Sequence, residues 1–457
     1  MTEASAPAPI GASISDGSSP AVPLVSDAYR RYALVILLAV YTLNFLDRQI
    51  VTILAEPIKN DLGLADWQLG LMTGLAFALF YTVLGLPIAR LAESFNRVWI
   101  IGGSLAVWSG FTVLCGQATS FAQLIGARIG VGIGEAGCTP TAHSLIADYA
   151  PKEKRASALA FFSIGTPLGG LLGLALGGLI ADAYGWRTAF LLAGVPGLLF
   201  TVVVFLTLKE PRNAMSAAAA AAHAPGKGHF AATLKYLRGK PVFWFIAFGA
   251  AVKAFIGYGH APFTASFFLR NHAEEVAQMA DKFGLGSIGF LGLALGLMGG
   301  TAGIISSWAG GAIADWAAKR DIRAYMSVPA VASLISPFIY ATAILLPSAF
   351  WALWLLILPG LLGSLWYGPV YASAQSLVPP QMRATSASIL LFIINLVGLG
   401  LGPLFVGILS DVLANGPMQL GSAEGVRWAL IISAFLGVVA TGLFWIARRT
   451  IREEMVS

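Results

Sequence analysis

PKEKRAS at residues 151–157 and PPQMRAT at residues 379–385 share one frame: a proline, three residues, Arg-Ala and a hydroxyl residue. Each copy is followed by a glycine-rich apolar run ending in Gly-x-x-x-Asp, with Gly178 and Asp182 in the first and Gly407 and Asp411 in the second. A second matched pair of loops, ARLAESFNR at 89–97 and GAIADWAAKR at 311–320, stands at corresponding places. Matched features in one order mark an internal repeat, two related halves joined head to tail.

The composition says what those halves are made of. The chain has 457 residues, of which 57% are hydrophobic and only 11% charged, whereas soluble domains carry about 25% charged residues. Apolar runs near the roughly 20 residues that cross a bilayer are centred close to residues 45, 80, 108, 135, 168, 197, 255, 298, 335, 363, 397 and 435. The long connection at 209–240, with Lys209, Arg212, Lys227, Lys235, Arg238 and Lys240 around an alanine tract, divides them six and six. The expected fold is an all-α membrane protein of twelve transmembrane helices in two pseudo-symmetric six-helix bundles, residues 29–208 and 241–447. Residues 1–28, rich in Ala, Ser, Pro and Gly, read as a disordered tail with no cleaved signal peptide, and 448–457 as a second tail. Cys115 and Cys138 lie in apolar stretches, which favours core packing over a disulfide.

Basic loops stay on the cytoplasmic side of a membrane. With the N-terminus inside, the external loops hold Lys59, Arg187, Arg270, Lys282 and Arg427, the membrane holds Arg48, Arg128 and Lys253, and the other 20 of the 28 basic residues fall on the cytoplasmic side. Both termini are therefore expected in the cytoplasm. This topology accounts for the net charge of +6 without a nucleic-acid partner, for which no arginine-rich arm or aromatic platform exists. No HExxH, Walker loop, GxSxG in a strand-to-helix context or Cys/His cluster is present, so neither an enzyme nor a metal or cofactor site is expected.

Gly132, Gly134 and Gly137 match GxGxxG literally, but inside a membrane helix with no preceding strand the match is spurious. Glycines spaced by four, at 165, 169, 173 and 177 in helix 5 and at 292, 296 and 300 in helix 8, line single faces and allow close backbone approach.

The stretch YTLNFLDRQI at 41–50 sets Asp47 and Arg48 inside helix 1. At ~1.5 Å per residue, Asp47 lies about 24 Å from Arg31 and about 18 Å from Lys59, near the middle of the bilayer. A charge at that depth costs at least ~2.5 kcal/mol and needs a partner or a wet cavity. Helix 4 offers Arg128 and Glu135, seven apart and so on one face. Adjacent residues on a helix diverge by about 100°, so the expected pairs are Asp47 with Arg128 and Arg48 with Glu135. The alternative is a neutral quartet that only fixes helix register. In the second half, Lys253 and His260 share one face of helix 7, and helix 10 carries Trp366, Tyr367 and Tyr371.

Over nearly its whole length the sequence resembles the major facilitator superfamily. The loops around Glu93, Arg97 and Asp315 are similar to its cytoplasmic signature, with Ala89, Ser94 and Asn96 departing from it in the first copy. NFLDRQ in helix 1, RIGVGIGEAG in helix 4 and GWR at 185–187 resemble the spinster branch, whose known animal members move lysophospholipids and sphingosine phosphate. The resemblance implies that helices 1, 4, 7 and 10 line a central cavity and that helices 5 and 8 meet across the halves, where glycine seams let them rock. It supports proton coupling through Asp47 and Arg128, and on that arrangement one charged wall stands opposite one aromatic wall, which suits an amphipathic ligand contacted by Arg48, Glu135, Trp366, Tyr367, Tyr371, Lys253 and His260. Glu93, Arg97 and Asp315 would form a conformational latch at a neighbouring helix N-terminus. The implied partners are an amphipathic small molecule, protons and the bilayer, met by a monomer.

Overall fold

The computed structural model describes residues 26–151, 154–214 and 229–455. Most of the expected N-terminal tail, the middle of the linker and the last two residues lie outside the described residues. Among those described there is no strand, as a lipid-spanning chain requires when each backbone polar group must be satisfied within its own segment.

Eleven helices are long and apolar enough to cross a membrane: Asp27–Ile53, Asp66–Ser94, Arg97–Gln117, Ser157–Tyr184, Trp186–Thr207, Pro241–Asn271, Ser287–Ala318, Ala324–Leu345, Ala349–Ser376, Thr385–Asn415 and Gly421–Glu454. The remaining expected crossing, helix 4, is divided into Phe121–Glu135 and Cys138–Tyr149. Pro140 has no N–H to offer the carbonyl of Ala136, which breaks the ladder where Gly137 follows. Helix 10, at the equivalent place in the second half, is also broken, into Ala349–Gly363 and Tyr367–Ser376. There the freed backbone N–H of Ser364 donates to the Ser306 hydroxyl at 3.1 Å. Helix starts carry ordinary signals: Ser26, Asn96 and Ser120 each accept a backbone N–H from the first turn they precede.

Helices 5 and 8 meet across the halves as expected, with Gly292 and Gly296 of helix 8 against Leu171 and Leu174 of helix 5, but the helix 5 glycine row does not line that seam. Gly165, Gly169 and Gly173 press on Tyr41, Thr42, Phe45, Leu46 and Gln49 of helix 1, inside the first half. The contact between the halves is made instead by the neighbouring face of helix 5, where Leu174 and Gly178 meet Gly289 and Gly292 of helix 8, and Gly300 faces open space. A four-residue spacing identifies a face; which helix it meets is set by the bundle.

The two Gly-x-x-x-Asp repeats have a shared use. Asp182 accepts the backbone N–H of Ile288 (3.3 Å) and Gly289 (2.6 Å), capping helix 8. Asp411 accepts those of Asp66 (3.1 Å) and Trp67 (2.7 Å), capping helix 2. Each acid thus holds the N-terminus of a helix in the opposite half, where the partial positive charge favours it. The glycine one turn earlier makes room: a Cβ on Gly178 would lie 2.5 Å from the Ile288 carbonyl oxygen, and one on Gly407 would collide with that of Asp66.

At this far face ion pairs also join the halves. Arg270 of helix 7 reaches both Glu56 (2.6 Å) and Asp66 (2.8 Å), and Asp66 also binds Lys59 at 2.5 Å and the Ser410 hydroxyl at 2.6 Å. At the near face, where the described chain begins and ends, no ion pair among the described residues links the two halves. The apolar core agrees. Toward the far face, Phe263, Phe267 and Val426 of the second half belong to one cluster with helices 1 to 6, whereas Val242, Phe243, Ile246, Val370 and Phe444 pack as a separate cluster. Ion pairs and a shared core thus join the halves at the far face, and neither joins them at the near face among the described residues.

Candidate functional site

Helix 1 carries the site's first wall because Asn44, Asp47 and Arg48, three and four residues apart, lie on neighbouring lines of one helix face. Arg48 meets Glu135 as expected, Nε to Oε2 at 2.5 Å, with Glu135 fully buried at the end of the first segment of helix 4. The guanidinium is enclosed by aromatic faces: its carbon lies 4.3 Å from the Tyr81 ring centre, 5.0 Å from Phe77 and 5.1 Å from Phe45. Such contacts stabilise a desolvated cation by about 2 kcal/mol.

The second expected pair does not form. Asp47 is 2% exposed, accepts a hydrogen bond from the Thr112 hydroxyl at 3.2 Å and makes no ion pair. Arg128 lies within electrostatic reach of it, yet its guanidinium packs over Phe77 at 5.3 Å. The physical reason is the third partner. Helix 3 places Thr112 and Trp108 against helix 1, so the carboxylate turns to a hydroxyl donor that the charge pattern alone does not reveal.

Buried polar atoms concentrate here. Among the described residues nineteen buried side-chain polar atoms lack a hydrogen bond of good geometry, and seven of them belong to Asn44, Asp47, Arg48, Trp108, Arg128 and Glu135. Buried polar groups are normally paired, and within the cluster Trp108 faces Asp47 and Asn44 faces Glu135 as donors.

The opposite wall comes from helices 7 and 10. Trp366 is buried and stacks on Tyr367 at 4.0 Å, and Tyr367 lies parallel to Tyr371 at 6.3 Å. The helix 10 break thus stands behind the aromatic group, with Tyr367 and Tyr371 partly exposed and Trp366 supporting them from within. Tyr258 of helix 7 lies within electrostatic reach of Arg48, Tyr81, Tyr367 and Tyr371. Tyr41, Tyr81 and Tyr258 were not singled out by sequence. The available signal was tyrosine in apolar runs of helices 1, 2 and 7, where a buried hydroxyl needs a polar neighbour.

His260 is a correction. Two residues beyond Tyr258 it points about 200° away, into the second half, where it hydrogen-bonds Ser433 at 2.9 Å and stacks on Tyr340 at 4.5 Å. Lys253, on the same face, is buried and makes no ion pair or hydrogen bond to another described residue. The latch candidates pair within their own halves. Arg97 binds Glu210 at 2.5 Å and Asp148 at 2.7 Å, Asp315 accepts from the Tyr325 hydroxyl at 2.7 Å, and the Glu93 carbonyl accepts from Arg212 at 2.8 Å. The acid at a helix N-terminus is Glu210, which caps Arg97 of helix 3 at 2.8 Å. Burial alone would push the Glu210 carboxyl up, but hydrogen bonds from Arg97 outweigh it and hold the group below its ordinary 4.5.

Two bundles, each with one broken helix, and a buried polar cluster in the first of them fit a secondary transporter, and the comparisons say which kind. Residues 37–403 match the Major Facilitator Superfamily model, and the chain belongs to that family. It falls in the spinster-like branch. It is 32% identical over 423 residues to an MFS-type efflux pump of Mycolicibacterium smegmatis, covering 92% of this chain and 93% of that one. It is 26% identical to protein spinster homolog 1 of Xenopus tropicalis, over 92% of this chain and 81% of that one. Among solved structures, a bacterial homolog of the human lysosomal transporter Spinster, inward-facing and unoccupied, superposes with a TM-score of 0.84 at 32% identity, covering 95% of this chain and all of that one.

Proposed function

We propose that the protein, as a monomer with both termini in the cytoplasm, couples proton movement to carriage of an amphipathic, lipid-like molecule of the lysophospholipid or sphingoid phosphate class. The observation that carries this reading is the buried Asp47 carboxylate, held by neutral donors and by no ion pair, beside an Arg128 that forms no ion pair among the described residues. A carboxyl out of water disfavours its charge and a nearby cation favours it. Bringing Arg128 toward Asp47, or withdrawing it, as the halves rock therefore releases or captures a proton. The lack of inter-half ion pairs at the near face among the described residues and the likeness to an inward-facing structure support placing that face in the cytoplasm, as does the distribution of basic residues.

For the cargo, Glu135 engages Nε of Arg48 while Nη2 has no protein partner. A phosphate or carboxylate can dock on that free edge of the fork, and the chain of the molecule lies against Tyr258, Tyr367 and Tyr371. Lys253 is a second cation for the cargo only if the bundle turns it inward. The likeness to an MFS-type efflux pump and, over 62% of this chain, to a hexuronate transporter of Bacillus subtilis favours a second reading, a drug-like amphiphile or small organic anion.

Transport in proteoliposomes tests the proposal. Labelled lysophospholipid should accumulate under an imposed pH gradient, and Asp47→Asn should abolish that accumulation while leaving counterflow exchange. Normal coupling in Asp47→Asn would refute the proton role. Binding without counterflow would show a sensor on a transporter fold.

A further inference from the structure

The linker between the halves returns to the membrane as a short helix, His229–Arg238, with Lys235 and Arg238 in its last turn. Leu237 is fully buried in the near-face cluster of the second half and Leu234 packs against that cluster, which anchors the helix there. Phe230 is not drawn into this core and stays 41% exposed. Across from it stand Val83, Pro87 and Arg90 of helix 2, four and three residues apart and therefore one stripe.

These four side chains bound a groove of about 500 Å³, within the roughly 300–1,000 Å³ of pockets that hold small molecules. Its wall is apolar along Val83, Pro87 and Phe230. Its charge is concentrated at Arg90, one turn before helix 2 ends at Ser94 on the near face. Arg90 is exposed and its guanidinium has no ion-pair or hydrogen-bond partner among the described residues. Val83, two residues beyond Tyr81, points about 200° away from it around helix 2, and Arg90 lies about 13 Å along the helix from Tyr81, so the groove opens on the side of helix 2 away from the ring around Arg48.

We propose that this groove is a docking site for an anionic phospholipid of the near-face leaflet. The acyl chain lies against Val83, Pro87 and Phe230, and the phosphate meets Arg90, with Lys235 and Arg238 adding positive charge at headgroup depth. A guanidinium matches phosphate oxygens in its planar fork, which sets this position apart from a generic basic surface. Because one wall belongs to the first half and the other to the linker leading into the second, a lipid seated here touches both.

Photo-crosslinking tests the site, independently of what the protein transports. The full chain is reconstituted in phosphatidylcholine vesicles containing either a diazirine-bearing phosphatidic acid or a diazirine-bearing phosphatidylcholine, and labelled peptides are mapped. The expected result is phosphatidic acid labelling concentrated on the peptides holding residues 83–90 and 230. Arg90→Gln should reduce it about fivefold, the scale of one basic residue at a membrane surface, and Arg90→Lys should restore part of it. Phe230→Ala should reduce labelling by both probes at this place. Labelling spread evenly over the lipid-facing helices, or unchanged in Arg90→Gln while that variant elutes as the parent does, would overturn the proposal.

Discussion

The two halves descend from one repeat and share a broken helix at the same position, yet they fill the break with opposite chemistry. In the first half the break carries Glu135, and around it Asp47, Arg48 and Arg128 are all buried or nearly so. In the second half the break carries Trp366 and Tyr367, and its charged candidates, Lys253 and His260, lie on the face of helix 7 away from Tyr258. The lesson is one of cost. Each buried charge must be compensated by others nearby, so charges collect in one wall, where they compensate one another, and the facing wall is left to shape and apolar contact.

The comparison can be broken most severely at Glu135. Glu135→Ala strands the Arg48 guanidinium, and removing one partner of a buried pair costs about 3–5 kcal/mol. Thermal unfolding in detergent should show a loss near that size, with Arg48→Met in the same chain recovering much of it but no transport. Lys253→Met, by contrast, should leave stability unchanged or raise it, since no ion pair is lost.

The next effect concerns the two faces. Arg270→Gln removes the inter-half pairs to Glu56 and Asp66. A coupling of about 1–3 kcal/mol corresponds to a 5- to 150-fold shift between states. Cysteine-accessibility labelling should then increase on the far-face side of helices 2 and 7 and decrease on the near face. A third change sharpens the aromatic wall. Tyr371→Ala should weaken substrate binding by roughly 2- to 10-fold, the worth of about 0.5–1.5 kcal/mol for a lost ring contact, whereas Tyr371→Phe should bind nearly as the parent does.

The smallest expected effect is in pH. The Glu210 carboxyl is held below 4.5 in the folded protein, so the stability it contributes is fully present above the unfolded value of about 4.3 and is lost only as pH falls through the lower, folded value. Unfolding of the parent should be flat from pH 7 to pH 5 in this contribution and should weaken below about pH 4. Glu210→Gln should flatten that acid limb.

Much of the architecture was legible because it is local. The paired loops at 151–157 and 379–385 gave the repeat, and apolar length gave the crossings. Apolar length placed helix 4 but not its break, although Pro140 stands in the sequence to mark it. The Arg48 and Glu135 contact was also legible, because two buried opposite charges on adjoining helices have few other choices. The Asp47 partner was not, since Thr112 in an apolar run of helix 3 carries no mark that it faces helix 1.

Composition and repetition by themselves determined a membrane bundle of two related halves with costly charges in helices 1 and 4, because hydropathy and charge desolvation are properties of single residues. Only the tertiary structure decided that Gly173 meets helix 1 and Gly178 meets helix 8, that His260 turns from Tyr258, and that Asp182 and Asp411 clasp the opposite half. A helix's own period fixes which residues share a face. Its rotation and its neighbour are fixed by packing against segments hundreds of residues away.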